Sequence, residues 1–334
     1  MTELKVIDSS NFKTRCGIVL SAGNGRRLRE FVHQRRGDYL PKQYVNFVGP
    51  RSMLEHTYDR VQKSLPARKI FTVVAKEHLQ FQEVRRQLAS RAPGTVVVQP
   101  ANKETAPGVL LPLLHIYKRH PDALVAVFPS DHFVLENDLF MRHVDAAFRL
   151  IESDVSRMVL LGLEPHGPDP EYGYILPGDK RNALEPDSAR SVELFVEKPS
   201  VDAAKKIIAA GALWNTMVMV FTCETFLSII QRGAPELERA FRPILQAIGT
   251  PDEMGVTERV YQGLQPLNLS KGVLEVLPFR YRQALVVLPV QGVTWSDWGT
   301  SDRLSSTLRQ LRATNMARPL PEGKPLRFSA AITA

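Results

Sequence analysis

The sequence predicts an α/β fold in which a mainly parallel sheet carries helices on both faces. Two observations predict it. Apolar runs of strand length alternate with amphipathic helical stretches between residues 16 and 128, the rhythm that builds strand–helix–strand crossovers. The first of those runs ends in a turn of small residues, Ser21-Ala22-Gly23-Asn24-Gly25, and Arg26 and Arg27 follow at once. A turn without large Cβ substituents lets backbone N–H groups approach an anion. Arginine then offers charge-assisted, bidentate contacts to phosphate oxygens. In open α/β sheets such ligand crevices form where strands end.

Taken in order, the first buried strand spans 16–20. The stretch 29–39 is polar and basic and is expected to be a flexible loop, closing at Leu40-Pro41-Lys42-Gln43. Ser52-x-x-Glu55 is a capping box, and Leu54, Tyr58, Val61 and Leu65 then recur at helical spacing. Strands are expected over 69–75, 95–99 and 123–128. Helices are expected over about 79–89 and through Leu110, Leu111, Leu114 and Tyr117. The second half is more mixed, with strands over 157–163, 172–176, 191–196, 213–221 and 284–290. A short amphipathic helix should follow Pro199, a helical stretch should fill 224–263, and a last helix should follow Gly299. No repeat or linker cuts the chain, so 15–314 reads as one domain. Residues 1–14 form an extension, and 315–334, with Pro319, Pro321 and Pro325, a loose tail.

Composition narrows the function classes. At 44% hydrophobic and 23% charged residues, the 334-residue chain is globular rather than disordered. Its formal charge of +8 suits a polyanionic ligand. Nucleic acid is not expected, because the basic residues are spread out and no basic–aromatic interleaving occurs. Cys16 and Cys223 both sit in apolar runs and read as buried thiols in a reducing compartment. The polar N-terminus, with Glu3 and Asp8, is not a signal peptide. No apolar run is long enough for a membrane, so a cytoplasmic protein without membrane contact is expected.

Five polar insertions follow or interrupt strands: the Gly-Arg turn, Glu104-Thr105, Asp131, Glu197-Lys198 and Asp297. Each alone has a bland reading. Asp131 after Pro129-Ser130 suits an N-cap, Glu197-Lys198-Pro199 a surface turn, and Asp297 a cap on the last helix. Gly23-x-Gly25-x-x-Leu28 lacks the third glycine of a dinucleotide fingerprint, and no Gly-Lys-Ser or Gly-Lys-Thr follows the first strand. Together, however, the five supply what phosphoryl chemistry requires: cations for phosphates and carboxylates for a divalent metal.

The motifs resemble those of the sugar-1-phosphate nucleotidyltransferases, and among them the mannose-1-phosphate guanylyltransferase branch. Leu20-Ser21-Ala22-Gly23-Asn24-Gly25-Arg26-Arg27-Leu28 is similar to that family's L-A-G-G-x-G-T-R-L, Pro41-Lys42-Gln43 to its P-K-Q, and Thr105-Ala106-Pro107 to the end of its nucleotide loop. Phe128-Pro129-Ser130-Asp131-His132, Tyr172-Gly173-Tyr174-Ile175, Phe195-Val196-Glu197-Lys198-Pro199, Trp214-Asn215 and Trp295-Ser296-Asp297-Trp298-Gly299 follow in the family's order. The resemblance covers residues 15 to 305. It departs from the pattern at Ser21-Ala22 (usually Ala-Gly), Arg26 (usually Thr) and Asn102-Lys103-Glu104 (usually Gly-Arg-Asn). Thr216-Met217 stands where Ser-Gly is usual, and the stretch 29–40 is longer. The isomerase-type cupin domain often fused in this branch is not expected here.

The resemblance implies a Rossmann-like nucleotidyltransferase fold of GT-A type. It also implies an in-line attack by a sugar-1-phosphate oxygen on the α-phosphorus of a nucleoside triphosphate, with pyrophosphate leaving. The implied pair is GTP and mannose 1-phosphate, giving GDP-mannose, with Mg²⁺, or Mn²⁺ in its place, held by Asp131 and Asp297. Arg27, Lys42 and Asp131 are the implied catalytic residues. Ser21, Ala22, Gly23, Gly25, Arg26, Glu104 and Thr105 would meet the nucleotide, and Gly173, Glu197, Lys198 and Asn215 the sugar phosphate. A homodimer is compatible with this reading. Two alternatives stay open: a glucose-1-phosphate uridylyl- or thymidylyltransferase, and a non-catalytic homologue that binds nucleotide sugars.

Overall fold

Runs dense in Val, Ile and Leu become buried strands, and helices intervene in nearly the expected order. The computed structural model describes residues 14–178, 189–281 and 284–313. Its first half contains β1 (Arg15–Ser21), α1 (Arg29–Arg36), α2 (Met53–Val61), β2 (Ile70–Ala75), α3 (Gln82–Leu88), β3 (Val96–Gln99), α4 (Thr105–Arg119), β4 (Leu124–Pro129), β5 (Phe133–Val134) and α5 (Asn137–Ser153). Its second half contains β6 (Met158–Leu163), β7 (Gly173–Pro177), β8 (Arg190–Glu197), α6 (Val201–Ala209), β9 (Leu213–Thr222), α7 (Cys223–Gly233), α8 (Pro235–Ala247), α9 (Glu253–Gly263), α10 (Leu277–Arg280), β10 (Leu285–Val290), β11 (Trp295–Ser296) and α11 (Ser301–Ala313). The expected tail 315–334, and all of the N-terminal extension but Thr14, lie outside the described residues.

The main sheet runs β3-β2-β1-β4-β9-β6-β10-β8-β7. β1 pairs in parallel with β2 and β4, and β6 with β10. β9 is antiparallel to β4 and β6, and β8 to β10 and β7. All strands except β8 and β9 therefore run one way, and the sheet is mainly parallel in strand direction. β9 is the seam. Its second half bonds β4, with Val125 opposite Phe221, while its first half bonds β7, with Tyr174 opposite Trp214. The β7–β8 hairpin is thereby bonded to the first half of β9.

Alternate residues of the strands feed two cores, as the two-residue period of a strand requires. Val19, Ala126, Phe128 and Val220 face the helices α2 and α5. Ile18, Val125, Val127 and Phe221 face α4, α7 and α8. The capping box is formed: Ser52 Oγ accepts from the Glu55 N–H, and Glu55 Oε2 from the Ser52 N–H.

One expectation is corrected. The basic stretch after Arg27 is not a loop but the helix α1, stopped by Gly37 at φ 80. Arginine and glutamine are good helix formers, and Val32 is buried in the core, so one apolar anchor per two turns suffices. The sequence pattern also leaves α5 unannounced, although its Phe140, Met141, Val144, Phe148 and Ile151 form a buried stripe.

Candidate active site

Lys42 is the hub. Its ammonium donates to Asp131 Oδ2 at 3.0 Å, to the Asp297 carbonyl at 2.9 Å and to the Trp298 carbonyl at 3.1 Å. The fold thus brings two aspartates from distant parts of the chain around one cation. The backbone at Trp298 takes φ 43, a conformation that persists only when its surroundings impose it. Here the Phe133 ring stacks on the indole at 5.1 Å and the Phe47 ring meets it edge-on at 5.7 Å. The neighbouring Gln43 amide donates to the carbonyls of Ser21 and Gly23 at 2.9 and 2.8 Å, and the Tyr44 hydroxyl to Ser21 at 2.9 Å. The Pro41-Lys42-Gln43 segment therefore holds the small-residue turn with one side chain and the aspartates with the next. Gly25 is needed for two reasons: φ is 57, and a Cβ would lie 3.3 Å from Lys42 Cγ.

Asp297 is further fixed through Oδ1, which accepts from the Tyr172 hydroxyl at 3.0 Å, the Gly299 N–H at 2.9 Å and Arg303 Nη1 at 2.8 Å. Arg303 also reaches Asp169 Oδ2 at 2.5 Å and lies over the Tyr172 ring. Arg303 and Asp169 have no place in the sequence reading. They lie 134 positions apart, and no local pattern links them.

Burial would raise the pKa of both aspartates, but the charges around them win. Lys42 holds Asp131 below the ordinary carboxyl range, and Arg303 and Lys42 do the same for Asp297. His132, whose Nε2 is 3.8 Å from Asp131 Oδ1, is itself kept neutral because burial pushes it down, so it contributes little positive charge near pH 7. Asp297 Oδ2 accepts no hydrogen bond among the described residues, and Asp131 Oδ1 has only the distant imidazole. Magnesium is commonly bound by one or two carboxylates with substrate phosphates and water completing the shell. The two aspartates fit that pattern, although no group of three or more His, Cys, Asp or Glu able to hold a metal occurs among the described residues.

Beside the aspartates lies a cavity of about 180 Å³, lined by Arg27, Thr105, His132, Gly173, Glu197, Lys198, Asn215 and Asp297 together with Glu171, Met217 and Ser270. Gly173 stands opposite Glu197 in the β7–β8 register, and a Cβ there would lie 2.6 Å from Glu197 Oε2. Burial raises the Glu197 pKa, and the carboxylate of Glu275 pushes the same way. Glu275 Oε1 accepts the Glu197 N–H at 2.6 Å, another partner that sequence reasoning missed. Arg27 is ion-paired to Glu171, and Lys198 Nζ lies 4.0 Å from the same carboxylate. The nucleotide-loop residues are tied to the segment 268–269 at the cavity's edge: Thr105 Oγ1 accepts from the Leu269 N–H at 2.8 Å, and Glu104 Oε2 from Asn268 Nδ2 at 3.4 Å. Glu104 thus turns to Asn268. Ser21 is buried, Gly23 opens to solvent with nothing within 4 Å of its Cβ position, and Ala22 is buried between them. Arg26 is exposed and has no side-chain partner among the described residues.

Backbone strain picks out the same place. Among the described residues the non-glycine positions with positive φ are Glu104, Lys198, Met217 and Trp298. Each lines the cavity or adjoins a residue that does. Strain of this kind concentrates at functional sites, and no sequence signal announces it.

Residues 16–314 match the family model described as Nucleotidyl transferase. The chain belongs to that family. The chain is 27% identical over 289 residues to the mannose-1-phosphate guanylyltransferase of Klebsiella pneumoniae, covering 85% of this chain and 58% of that one. It is 30% identical over 224 residues to the xanthan biosynthesis protein XanB of Xanthomonas campestris, covering 67% of this chain and 45% of that one. The chain therefore spans about half the length of these curated relatives. The crystal structure of a mannose-1-phosphate geranyltransferase from Thermus thermophilus superposes with a TM-score of 0.71 at 26% identity, over 86% of this chain and 76% of that one. Among the described residues no helix is long and apolar enough to cross a membrane.

Proposed function

We propose that the protein transfers a guanylyl group from GTP to mannose 1-phosphate, releasing pyrophosphate. The observation that carries the reading is the convergence on the Pro41-Lys42-Gln43 segment: the Lys42 ammonium meets the Asp131 carboxylate and the Asp297 carbonyl and Gln43 holds the small-residue turn, beside a cavity whose walls carry Glu197, Arg27 and Lys198. The names of the relatives support the choice of substrates.

The nucleophile, a sugar-phosphate oxygen, is already anionic, so the chemistry needs orientation and charge neutralisation rather than a general base. In this reading Lys42 stabilises charge at the α-phosphate, and Arg27, helped by Arg26, receives the β- and γ-phosphates. To do so Arg27 must exchange its Glu171 partner for phosphate. The backbone of Ser21, Ala22, Gly23 and Gly25 approaches the triphosphate, with Glu104 and Thr105 at the base and ribose. Glu197 holds sugar hydroxyls beside Gly173 and Asn215, and Lys198 contacts the sugar phosphate. A divalent cation on Asp131 and Asp297 would supply further neutralisation of the transferring phosphoryl group.

Pyrophosphate release is measured with GTP, UTP, dTTP, ATP and CTP against mannose and glucose 1-phosphates. The highest kcat/KM is expected for GTP with mannose 1-phosphate, with turnover lost in excess chelator and restored by Mg²⁺ or Mn²⁺. Asp131→Asn and Asp297→Asn should be folded and nearly inactive. A preference of about tenfold or more for UTP or dTTP would replace the base assignment and leave the reaction class standing. Full activity in chelator would remove the metal.

A further inference from the structure

Met217 holds a backbone conformation that its side chain opposes. Its φ is 58, in the region glycine enters freely and a residue with a Cβ enters only under constraint. The backbone contact at this position does not require methionine. The Met217 N–H donates to Asn215 Oδ1 at 3.0 Å, a link that any residue but proline would make. The side chain is what distinguishes the position. Its Sδ accepts from Asn215 Nδ2 at 3.3 Å and from Ser270 Oγ at 3.4 Å, so the thioether has a polar partner on two sides.

This side chain lines the cavity that also holds Gly173 and Glu197. At Gly173 the wall is kept minimal, since a Cβ would collide with Glu197. At Met217 the wall is kept large in a place where glycine would sit without strain. The cavity is therefore shaped by one side chain that is missing and one that is present against its backbone preference.

We infer that Met217 is a specificity-determining residue that limits the sugar end of the cavity to hexose 1-phosphates whose hydroxyl groups are neither replaced nor capped by anything bulkier. The inference rests on the reading of this cavity as the sugar-phosphate site. It adds a class of excluded substrates: ring-substituted hexose 1-phosphates such as N-acetylhexosamine 1-phosphates.

The test compares wild type, Met217→Gly and Met217→Leu. Kd by calorimetry and kcat/KM are measured for mannose 1-phosphate and for a set carrying N-acetyl at C2 or O-methyl at C2, C3, C4 or C6. Met217→Gly suits the backbone, and a melting curve checks that it is folded. It should raise kcat/KM for at least one substituted sugar, relative to the parent sugar, by about tenfold or more. Met217→Leu, of similar volume, should keep the exclusion. Unchanged ratios in Met217→Gly would overturn the inference. So would a Leu variant as permissive as the Gly variant, because the exclusion would then come from the sulfur's hold on Asn215 rather than from volume. Substituted and parent sugars accepted alike by the wild type would overturn it too. A wild type that binds no hexose 1-phosphate would remove the reading of the cavity itself, and the inference with it.

Discussion

Arg26 and Arg27 are neighbours in sequence with different surroundings. Arg27 lines the cavity and is ion-paired to Glu171, whereas Arg26 faces solvent. Removing one preorganised charge contact from a transition state costs about a hundredfold or more in rate. Arg27→Ala should therefore lower kcat/KM about a hundredfold in the pyrophosphate assay, and Arg26→Ala much less. Equal losses would undo the assignment between them. Glu197 makes a second prediction at this scale, with a definite sign. Its folded-state pKa is raised, so the native protein holds this proton more tightly than the unfolded chain. The associated stability is present below the ordinary glutamate value of about 4.3 and is lost as pH rises through the folded value. Glu197→Gln removes this dependence. In urea unfolding across pH 3.5–8, the variant should gain on the wild type as pH rises and match it most closely at the acid end. The lowered Asp131 and Asp297 act in the other direction, contributing stability above the ordinary aspartate range and losing it as pH falls through their folded values. A difference between wild type and variant that does not vary with pH would show that Glu197 is not strained toward its neutral form.

Among the elements, α2 illustrates how capping places a helix without touching the site. Ser52 closes the capping box and also donates through Oγ to the buried Gln87 Oε1 at 2.7 Å. Gln87 in turn donates to the Tyr44 carbonyl at 2.9 Å, next to the Lys42 segment. Ser52→Ala loses the cap, worth about 1 kcal/mol, and leaves a buried amide oxygen unpaired at about another 1 kcal/mol. Urea unfolding should show a loss of about 2 kcal/mol with kcat/KM nearly unchanged, because Lys42 keeps its own partners. A large fall in activity at unchanged stability would mean that Gln87 steers Lys42. The elements also show where local pattern is a fair guide. The Ser52-x-x-Glu55 box and the Val-rich strands are legible because their signals are local. α1 is not, because its basic residues hide the single buried anchor Val32.

Across the whole molecule, Arg303 ties α11 to both halves of the site. It joins Asp297, which follows β11, to Asp169, in the connection between β6 and β7, and covers the Tyr172 ring. Arg303→Ala should leave two carboxylates facing each other without their shared cation. Activity should fall about tenfold or more, and amide exchange should accelerate across 301–313. Arg303→Lys should recover only part, because an ammonium cannot repeat the planar fork that meets both carboxylates. Full activity in the Ala variant would reduce Arg303 to a surface tie.

Read without coordinates, the chain already specifies the α/β class, the positions of the main-sheet strands along the chain and the family, since each rests on local periodicity or on contiguous motifs. It also singles out Arg27, Asp131, Glu197 and Asp297, because charged residues after apolar runs are conspicuous, and Lys42 through its Pro-Lys-Gln motif. The folded arrangement was needed to show that Lys42 holds Asp131 and Asp297 together and that Arg303, Asp169 and Glu275 support the site. It alone reveals that Glu104, Lys198, Met217 and Trp298 carry their strain beside one cavity. Ion pairs and hydrogen bonds across 78 to 256 positions depend on the crossing of β9 between β4, β6 and β7, a register set by packing on both faces of the sheet.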